Sequence, residues 1–217
     1  MEKDLVLKIL SLKSVDSTQS YLKQLLHLKK VEAPYAVVAE EQTAGLGSRN
    51  NSWHGYKGNL FLSFAIPIKE LPSDLKLESA SIYFAYILQE VLYSLGSEVW
   101  LKWPNDFYIL DQKIGGMITN IVGENLVCGV GLNLLFAPEG FRTLDIKVSA
   151  DRLLQLYFTK IEKKVLWKQV FSKYKLEFYR NQNYFTHENN LRISLAKAEL
   201  LDDGSIEVNG KRMYSLR

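Results

Sequence analysis

Lys102-Trp103-Pro104-Asn105-Asp106, followed by Lys113-Ile114-Gly115-Gly116, stands at the centre of this chain. The first run sets a cation, an amide and a carboxylate at a proline-marked turn. The second brings another cation directly ahead of paired glycines. Two lysines framing a backbone opened by glycine suit a site for negative charge, such as a carboxylate or phosphates. Working outward, residues 98–102 read as a strand entering the turn. Three strands leave it as a meander, over 107–110, 113–122 and 126–135, with turns at Asp111-Gln112 and Gly123-Glu124-Asn125. In the last of these, Leu126, Cys128, Val130, Leu132 and Leu134 point one way, and Val127, Gly129, Gly131 and Asn133 the other. Glycines inside a strand mark close approach, either by a ligand or by a packed helix, and the strand alone leaves both readings open.

The flanks supply the remaining elements. Residues 5–12 read as an opening strand, and Asp16-Ser17-Thr18-Gln19 as a helix start with Asp16 as N-cap. Tyr21, Leu22, Leu25 and Leu26 give that helix its apolar stripe. Residues 35–40 form a strand that runs into a glycine-bearing loop over 41–53, and 59–66 form the next strand. Residues 73–95, closed by Gly96, carry the clearest helical pattern, and 149–180 are helical in one or two pieces. Residues 181–190 read as a linker, and 191–217 as short strands with turns at Asp202-Asp203-Gly204 and Asn209-Gly210. The expectation is an α+β fold, a mixed and mainly antiparallel sheet packed with helices, with residues 1–181 as the main domain and 182–217 as a short C-terminal β segment.

Composition narrows the function. A chain of 217 residues with 47% hydrophobic residues has enough apolar material for a packed core. Its 27 basic and 24 acidic residues leave only +3, too little to argue for a nucleic-acid or membrane surface. The lysine-rich stretch from Lys160 to Lys175 interleaves with Ile161, Val165, Val170 and Phe171, the pattern of a helix with one solvated face. The lone Cys128 cannot form an internal disulfide, and no secretory or membrane-spanning segment is evident, so a cytoplasmic protein is expected. His27, His54 and His187 are scattered without metal-ligand spacing, and no Gly-X-Ser-X-Gly elbow occurs. Chemistry here is expected to rely on positioned cations and backbone donors rather than on a protein nucleophile.

Several candidates carry two readings. Gly45-Leu46-Gly47-Ser48-Arg49 can converge backbone N–H groups on an anion with Arg49 as clamp, or be an ordinary turn; it matches neither the dinucleotide fingerprint nor the Walker pattern. Ser17 and Thr18 read first as helix-start residues, and alternatively as hydroxyls facing a polar head group. Trp53 reads first as core and alternatively as a stacking lid. Gln42 either anchors its own loop or meets a ligand.

Taken together and in order, Asp16-Ser17-Thr18, Glu40-Glu41-Gln42-Thr43-Ala44-Gly45-X-Gly, Trp53, residues 58–63, the Lys-Trp-Pro-Asn-Asp run, Lys113-Ile114-Gly115-Gly116 and Gly129-Val130-Gly131-Leu132-Asn133 resemble the catalytic domain of the biotin–protein ligases, across roughly residues 14–135. The resemblance implies a class II synthetase-like ligase domain and a reaction in two steps. Biotin's carboxylate attacks the α-phosphate of ATP, with Mg²⁺, to give biotinyl-5′-adenylate and pyrophosphate. A lysine of the biotin carboxyl carrier protein of acetyl-CoA carboxylase then takes the acyl group and releases AMP. By the same resemblance Ser17, Thr18, Gln19, Gln42, Gly45, Gly47, Ser48, Lys113, Gly115 and Gly116 hold biotin. Arg49, Trp53, Lys102, Asn105, Asp106 and Asn133 serve ATP or the adenylate, with Lys113 and Arg49 as catalytic cations. The segment from Gly45 to Trp53 would close over the intermediate.

Two departures stand out. Where the family loop reads Gly-Arg-Gly-Arg, this chain has Leu46 and Ser48, which leaves Arg49 as the loop's only cation. The C-terminal segment is also shorter than a complete small barrel requires. Some family members carry a DNA-binding helix-turn-helix ahead of this domain. The match begins at Ser14, which leaves no room for one, so no nucleic-acid partner is expected; a homodimer stays open. The rival readings are a lipoate–protein ligase and a non-catalytic biotin-binding module.

Overall fold

The computed structural model describes residues 7–47, 52–188 and 191–215. Eight strands form one sheet in the order β1-β2-β4-β8-β7-β6-β5, with β3 paired to β2. Strand β1 (Lys8–Val15) runs parallel to β2 (Tyr35–Leu46), and the other neighbours are antiparallel: β3 (Ser52–Gly55), β4 (Leu60–Pro67), β5 (Trp100–Lys102), β6 (Asp106–Ile109), β7 (Gln112–Val122) and β8 (Asn125–Leu132). The sheet is thus mixed and mainly antiparallel, and the meander around the Lys-Trp-Pro-Asn-Asp turn is present as its centre and one edge.

The alternation of side chains gives the sheet two different faces. Leu60, Leu62, Phe64, Cys128, Val130 and Leu132 join the main core with helix α2 (Ala80–Ser94), helix α3 (Ala150–Glu162) and helix α4 (Trp167–Glu177). Phe64 meets Phe84, Tyr157 and Phe158 edge-on at 5.3, 5.8 and 5.7 Å. Helix α2 is buried on nearly every side, as befits a helix caught between a sheet and two other helices. On the opposite face helix α1 (Thr18–His27) packs Leu22 against Val37, Ala65 and Val127. Helix α1 covers only part of that face, and the rest is hollow.

Local chemistry departs from the sequence expectations at four places. The N-cap of α1 is Ser17, whose Oγ accepts from the Ser20 N–H at 3.3 Å. Asp16 instead accepts from Thr43 Oγ1 at 2.8 Å through its carboxylate and from the Ala44 N–H at 2.9 Å through its carbonyl. These bonds carry β2 on to Leu46, so the expected loop over 41–53 is largely a β2–β3 hairpin with a register shift between Gln42 and Gly45. The helix expected from residue 73 begins in a 3-10 turn at Leu77–Ser79 and is α-helical only from Ala80. The expected linker over 181–190 contains strand β9 (Phe185–Glu188), paired to β10 (Leu191–Ser194).

Strands β11 (Glu199–Leu200), β12 (Ile206–Val208) and β13 (Lys211–Met213) make a separate three-stranded sheet. Its last turn is Asn209-Gly210, with φ of 53° and 74°, the left-handed pair that a two-residue hairpin loop demands. This sheet is fastened to the body: Ser79 Oγ donates to the Asp203 carbonyl at 2.6 Å, and Trp167 Nε1 to the Asp202 carbonyl at 2.8 Å.

Candidate active site

The hollow lies over two rows that run across the sheet and are opened by glycines. Ser63, Gly129 and Ile118 are in register in one row; Phe61, Gly131, Gly116 and Asp106 form the next. A side chain on Gly129 would strike Gln19 Oε1 at 2.3 Å, and one on Gly131 would strike Trp53 Nε1 at 2.6 Å. Both readings of these glycines therefore hold in part: α1 reaches over one, and the indole from the β2–β3 hairpin lies over the other. The cavity is lined by Ser17, Thr18, Gln19 and Ser63 at one end and by Asn105, Asp106, Lys113 and Gly116 at the other, with Gln42, Leu46, Gly47 and Trp53 along its wall.

At the first end a polar network links four elements, α1, β2, β4 and β7. The Thr18 N–H donates to Gln42 Oε1 at 2.8 Å, which fixes that oxygen as an acceptor. Gln19 Nε2 donates to Asn120 Oδ1 at 3.1 Å, which turns Gln19 Oε1 towards Ser63. Between these amide oxygens lie only two hydroxyls. Thr18 Oγ1 is 3.0 Å from Gln42 Oε1 and 2.9 Å from Ser63 Oγ, and Ser63 Oγ is 3.1 Å from Gln19 Oε1. Four oxygens thus meet with only two hydroxyl protons and the Thr18 N–H among them, so this end is rich in acceptors with lone pairs to spare. Such an end suits a ligand bearing N–H groups.

At the second end Lys113 Nζ lies 2.6 Å from Asp106 Oδ1, and Lys102 Nζ 3.8 Å from Asp106 Oδ2. Lys113 and Gly116 are three apart in β7, so regular alternation would send them to opposite faces. The register slips between Phe107 and Tyr108, leaving Ile114 as the extra residue opposite β6. This bulge turns Lys113 onto the cavity face and buries Ile114 in the main core. Trp53 completes the wall, its ring 5.9 Å from Lys113 Nζ and edge-on to Phe141 at 6.2 Å. Its Nε1 is buried without a hydrogen-bond partner among the described residues. Beneath Lys102, burial and then the Asp106 carboxylate raise the Tyr108 phenol well above its ordinary value, so it stays protonated.

Of the residues expected from sequence, Ser17, Thr18, Gln19, Gln42, Gly47, Trp53, Asn105, Asp106, Lys113 and Gly116 come together around this one cavity. Ser48 and Arg49 lie outside the described residues. Gly45, Gly115, Lys102 and Asn133 are adjacent without lining it. Gly115 abuts the Gly131 carbonyl across β8, and Asn133 donates from Nδ2 to the Arg142 carbonyl at 3.3 Å. Asn105 Nδ2 is bonded to the Met117 carbonyl.

Sequence reading included Asn59 and Ser63 in the matched run 58–63 but gave neither a role in the site. Ser63 was detectable as the one hydroxyl in the buried run Leu60–Pro67. Asn59 Oδ1 accepts from the backbone N–H groups of Leu134, Leu135 and Phe136 at 3.0, 3.1 and 3.1 Å, and so ties down the chain leaving β8. Its signals were its place in the matched run 58–63 and its polarity at a strand start. Among the described residues no cluster of His, Cys, Asp and Glu could hold a metal ion, and no helix is long and apolar enough to cross a membrane.

Residues 11–134, more than half of the chain, match the sequence profile of the Biotin/lipoate A/B protein ligase family. The chain belongs to this family. Its fold superposes with a TM-score of 0.92 on the biotin acetyl coenzyme A carboxylase synthetase of Helicobacter pylori, solved with bound biotinylated ATP; the two are 40% identical, and the match covers 95% of this chain and 99% of the other. The biotin protein ligase of Aquifex aeolicus, in complex with biotin and ATP, shares the fold at a TM-score of 0.76 and 23% identity, over 97% of this chain and 96% of its own. The bifunctional ligase/repressor BirA of Salmonella typhimurium is 34% identical over 127 residues, which are 55% of this chain and 38% of the Salmonella protein. The chain thus spans well under two thirds of that relative's length.

Proposed function

We propose that this chain is an ATP-dependent biotin–protein ligase, which converts biotin and ATP to biotinyl-5′-adenylate and pyrophosphate and passes the biotinyl group to a lysine of a biotin carboxyl carrier protein. The observation that carries the reading is that a single cavity joins an acceptor-rich amide and hydroxyl end to a Lys113–Asp106 end. Biotin's ureido ring brings N–H donors to the first, and its carboxylate tail extends along Trp53 to the second.

In this reading Thr18, Gln42, Ser63 and Gln19 hold the head group, and Ser17 closes the start of α1 beside it. Lys113 neutralises the carboxylate and the α-phosphoryl oxygens as they approach, which removes the repulsion that otherwise keeps two anions apart. Asp106 holds Lys113 in place until then. Trp53, with the hairpin that carries it, screens the mixed anhydride from water. No protein nucleophile is needed, because the substrate carboxylate is itself the attacking group. Arg49 is the only cation the sequence offers between Gly45 and Trp53, and we assign it to the phosphates. Mg²⁺ fits as an ion carried in on the triphosphate, since it binds through one or two carboxylates plus phosphate oxygens and Asp106 is the carboxylate in the cavity lining. We take residues 1–181 as the unit that carries this chemistry.

A lipoate ligase shares the fold, but a dithiolane ring has no N–H groups to offer the acceptor-rich end formed by Gln42, Gln19, Thr18 and Ser63, which disfavours it. Transfer of radiolabelled biotin to the carrier domain of a carboxylase, with ATP and Mg²⁺, tests the whole proposal. Labelling of the carrier lysine is expected. Binding of biotin without pyrophosphate release would point to a non-catalytic module, and calorimetric binding of lipoate in place of biotin to the rival ligase.

A further inference from the structure

The turn that carries Asp106 is gripped from outside the sheet. The Trp103 backbone N–H donates to Asn181 Oδ1 at 2.7 Å, and its indole Nε1–H donates to the Gly204 carbonyl at 2.8 Å. Trp103 and Asn181 are both wholly buried. On the other side of the turn, Asn105 is bonded to Met117 in both directions, Nδ2 to the Met117 carbonyl and the Met117 N–H to the Asn105 carbonyl at 2.9 Å. Residues 102–106 are therefore clamped between β7 and two groups that lie 78 and 101 residues further along the chain. The clamp is itself anchored. Asn181 Nδ2 donates to the Phe178 carbonyl at 3.2 Å, and a side chain on Gly204 would strike Ile82 Cδ1 at 2.8 Å.

We propose that Asn181, assisted by the Gly204 carbonyl, is a positioning residue for the nucleotide end of the site: it sets the height of the 102–106 turn and, through Asp106, the place of Lys113. This rests on the ligase reading above. The physical ground is that Asn181 Oδ1 accepts from the buried Trp103 N–H, so an apolar side chain at 181 removes the acceptor that holds the turn at this height. Asp106 moves with the turn, and Lys113 with Asp106, at 2.6 Å. The head-group network of Thr18, Gln42 and Ser63 lies on α1, β2 and β4 and is not touched.

Two variants separate positioning from mere stability. Asn181→Asp keeps an oxygen for Trp103 and loses the donor to Phe178, so it is destabilised with the turn in place. Asn181→Leu loses both. In pyrophosphate exchange Asn181→Leu is expected to lower kcat at least ~10-fold, while Asn181→Asp stays within about 2-fold despite a lower Tm; misplacement by about 1 Å is enough for such losses. Biotin affinity by calorimetry should change little in either. An unchanged kcat in Asn181→Leu, with only Tm lowered, would overturn the proposal. Should that variant not fold, Asn181→Ala removes the same oxygen without placing a branched apolar side chain there, and the same two outcomes are read. If the wild type forms no adenylate, the ligase reading fails by itself, and amide hydrogen exchange decides the positioning. Faster exchange at Met117 N–H in Asn181→Leu than in Asn181→Asp supports it, and equal exchange overturns it.

Discussion

Lys113 Nζ sits 2.6 Å from Asp106 Oδ1, and both side chains are only partly exposed, at 25% and 20%. The contact keeps a cation ordered at the mouth of a narrow cavity, but it also means that an incoming carboxylate must share Lys113 with a carboxylate already present. The cation is therefore preorganised for a second anion rather than waiting in solvent. Such preorganisation contributes to rate more than to ground-state affinity.

Lys113→Met should accordingly slow adenylate formation by ~10²–10³-fold, the usual effect of removing one preorganised charge donor, while biotin binding weakens far less. Pyrophosphate exchange and calorimetry on the same preparation check this. A rate close to wild type would remove Lys113 from the chemistry.

Thr18→Val removes the hydroxyl that bridges Gln42 Oε1 and Ser63 Oγ, leaving Gln42 Oε1 with the backbone N–H alone and Ser63 Oγ facing a methyl group. Disrupting a buried polar network in this way costs about 1–3 kcal/mol, so biotin affinity should fall by roughly 10- to 100-fold with the KM for ATP little changed. Titration calorimetry reads the affinity directly, and an unaltered Kd would show that the network does not face the ligand.

Gly131→Ala places a methyl group 2.6 Å from Trp53 Nε1 and 2.7 Å from Cε2. An indole is rigid, so the ring has to shift out of the cavity wall. We expect Trp53 fluorescence and adenylate lifetime to change together, with Tm lowered by only a few degrees, roughly 1 kcal/mol for a chain of this size. Retention of adenylate at the wild-type rate would argue that Trp53 is no part of the enclosure.

Asp203 ties the C-terminal sheet together through Ser205 and Arg212. Burial raises its carboxyl value, but the Ser205 hydroxyl and N–H, followed by Arg212, lower it further, and the net value lies below the ordinary 3.8. A folded value below the unfolded one stabilises the fold at neutral pH, and that contribution is lost as the pH falls from the ordinary carboxylate value through the depressed one. Asp203→Asn should lose about 1–3 kcal/mol at pH 7 and show a shallower decline in stability below about pH 4 than the wild type. Denaturant titrations at pH 3 to 7 provide the comparison; parallel curves would assign the acid sensitivity elsewhere.

The sequence by itself determined much of this protein. Hydrophobic alternation at period two and the turn residues at Gly123 and Asn209-Gly210 specify the meander and the last hairpin, because these depend on neighbours only a few residues apart. The ordered motifs from Asp16 to Asn133 specify the family. What only the tertiary structure decided was which groups meet. Local periodicity sends Lys113 and Gly116 to opposite faces, and a single-residue bulge, set by pairing with β6, brings them together. It also reads 41–53 as a loop, because the bonds from Asp16 that extend β2 come from another element. Ser63 belongs to the site only because its strand lies beneath α1, and Asn181 reaches Trp103 only because the chain after α4 returns to the turn. Hydrogen bonds between residues 44 and 78 apart leave no imprint on local propensity, so the chemistry could be named from the sequence while the geometry that supports it could not.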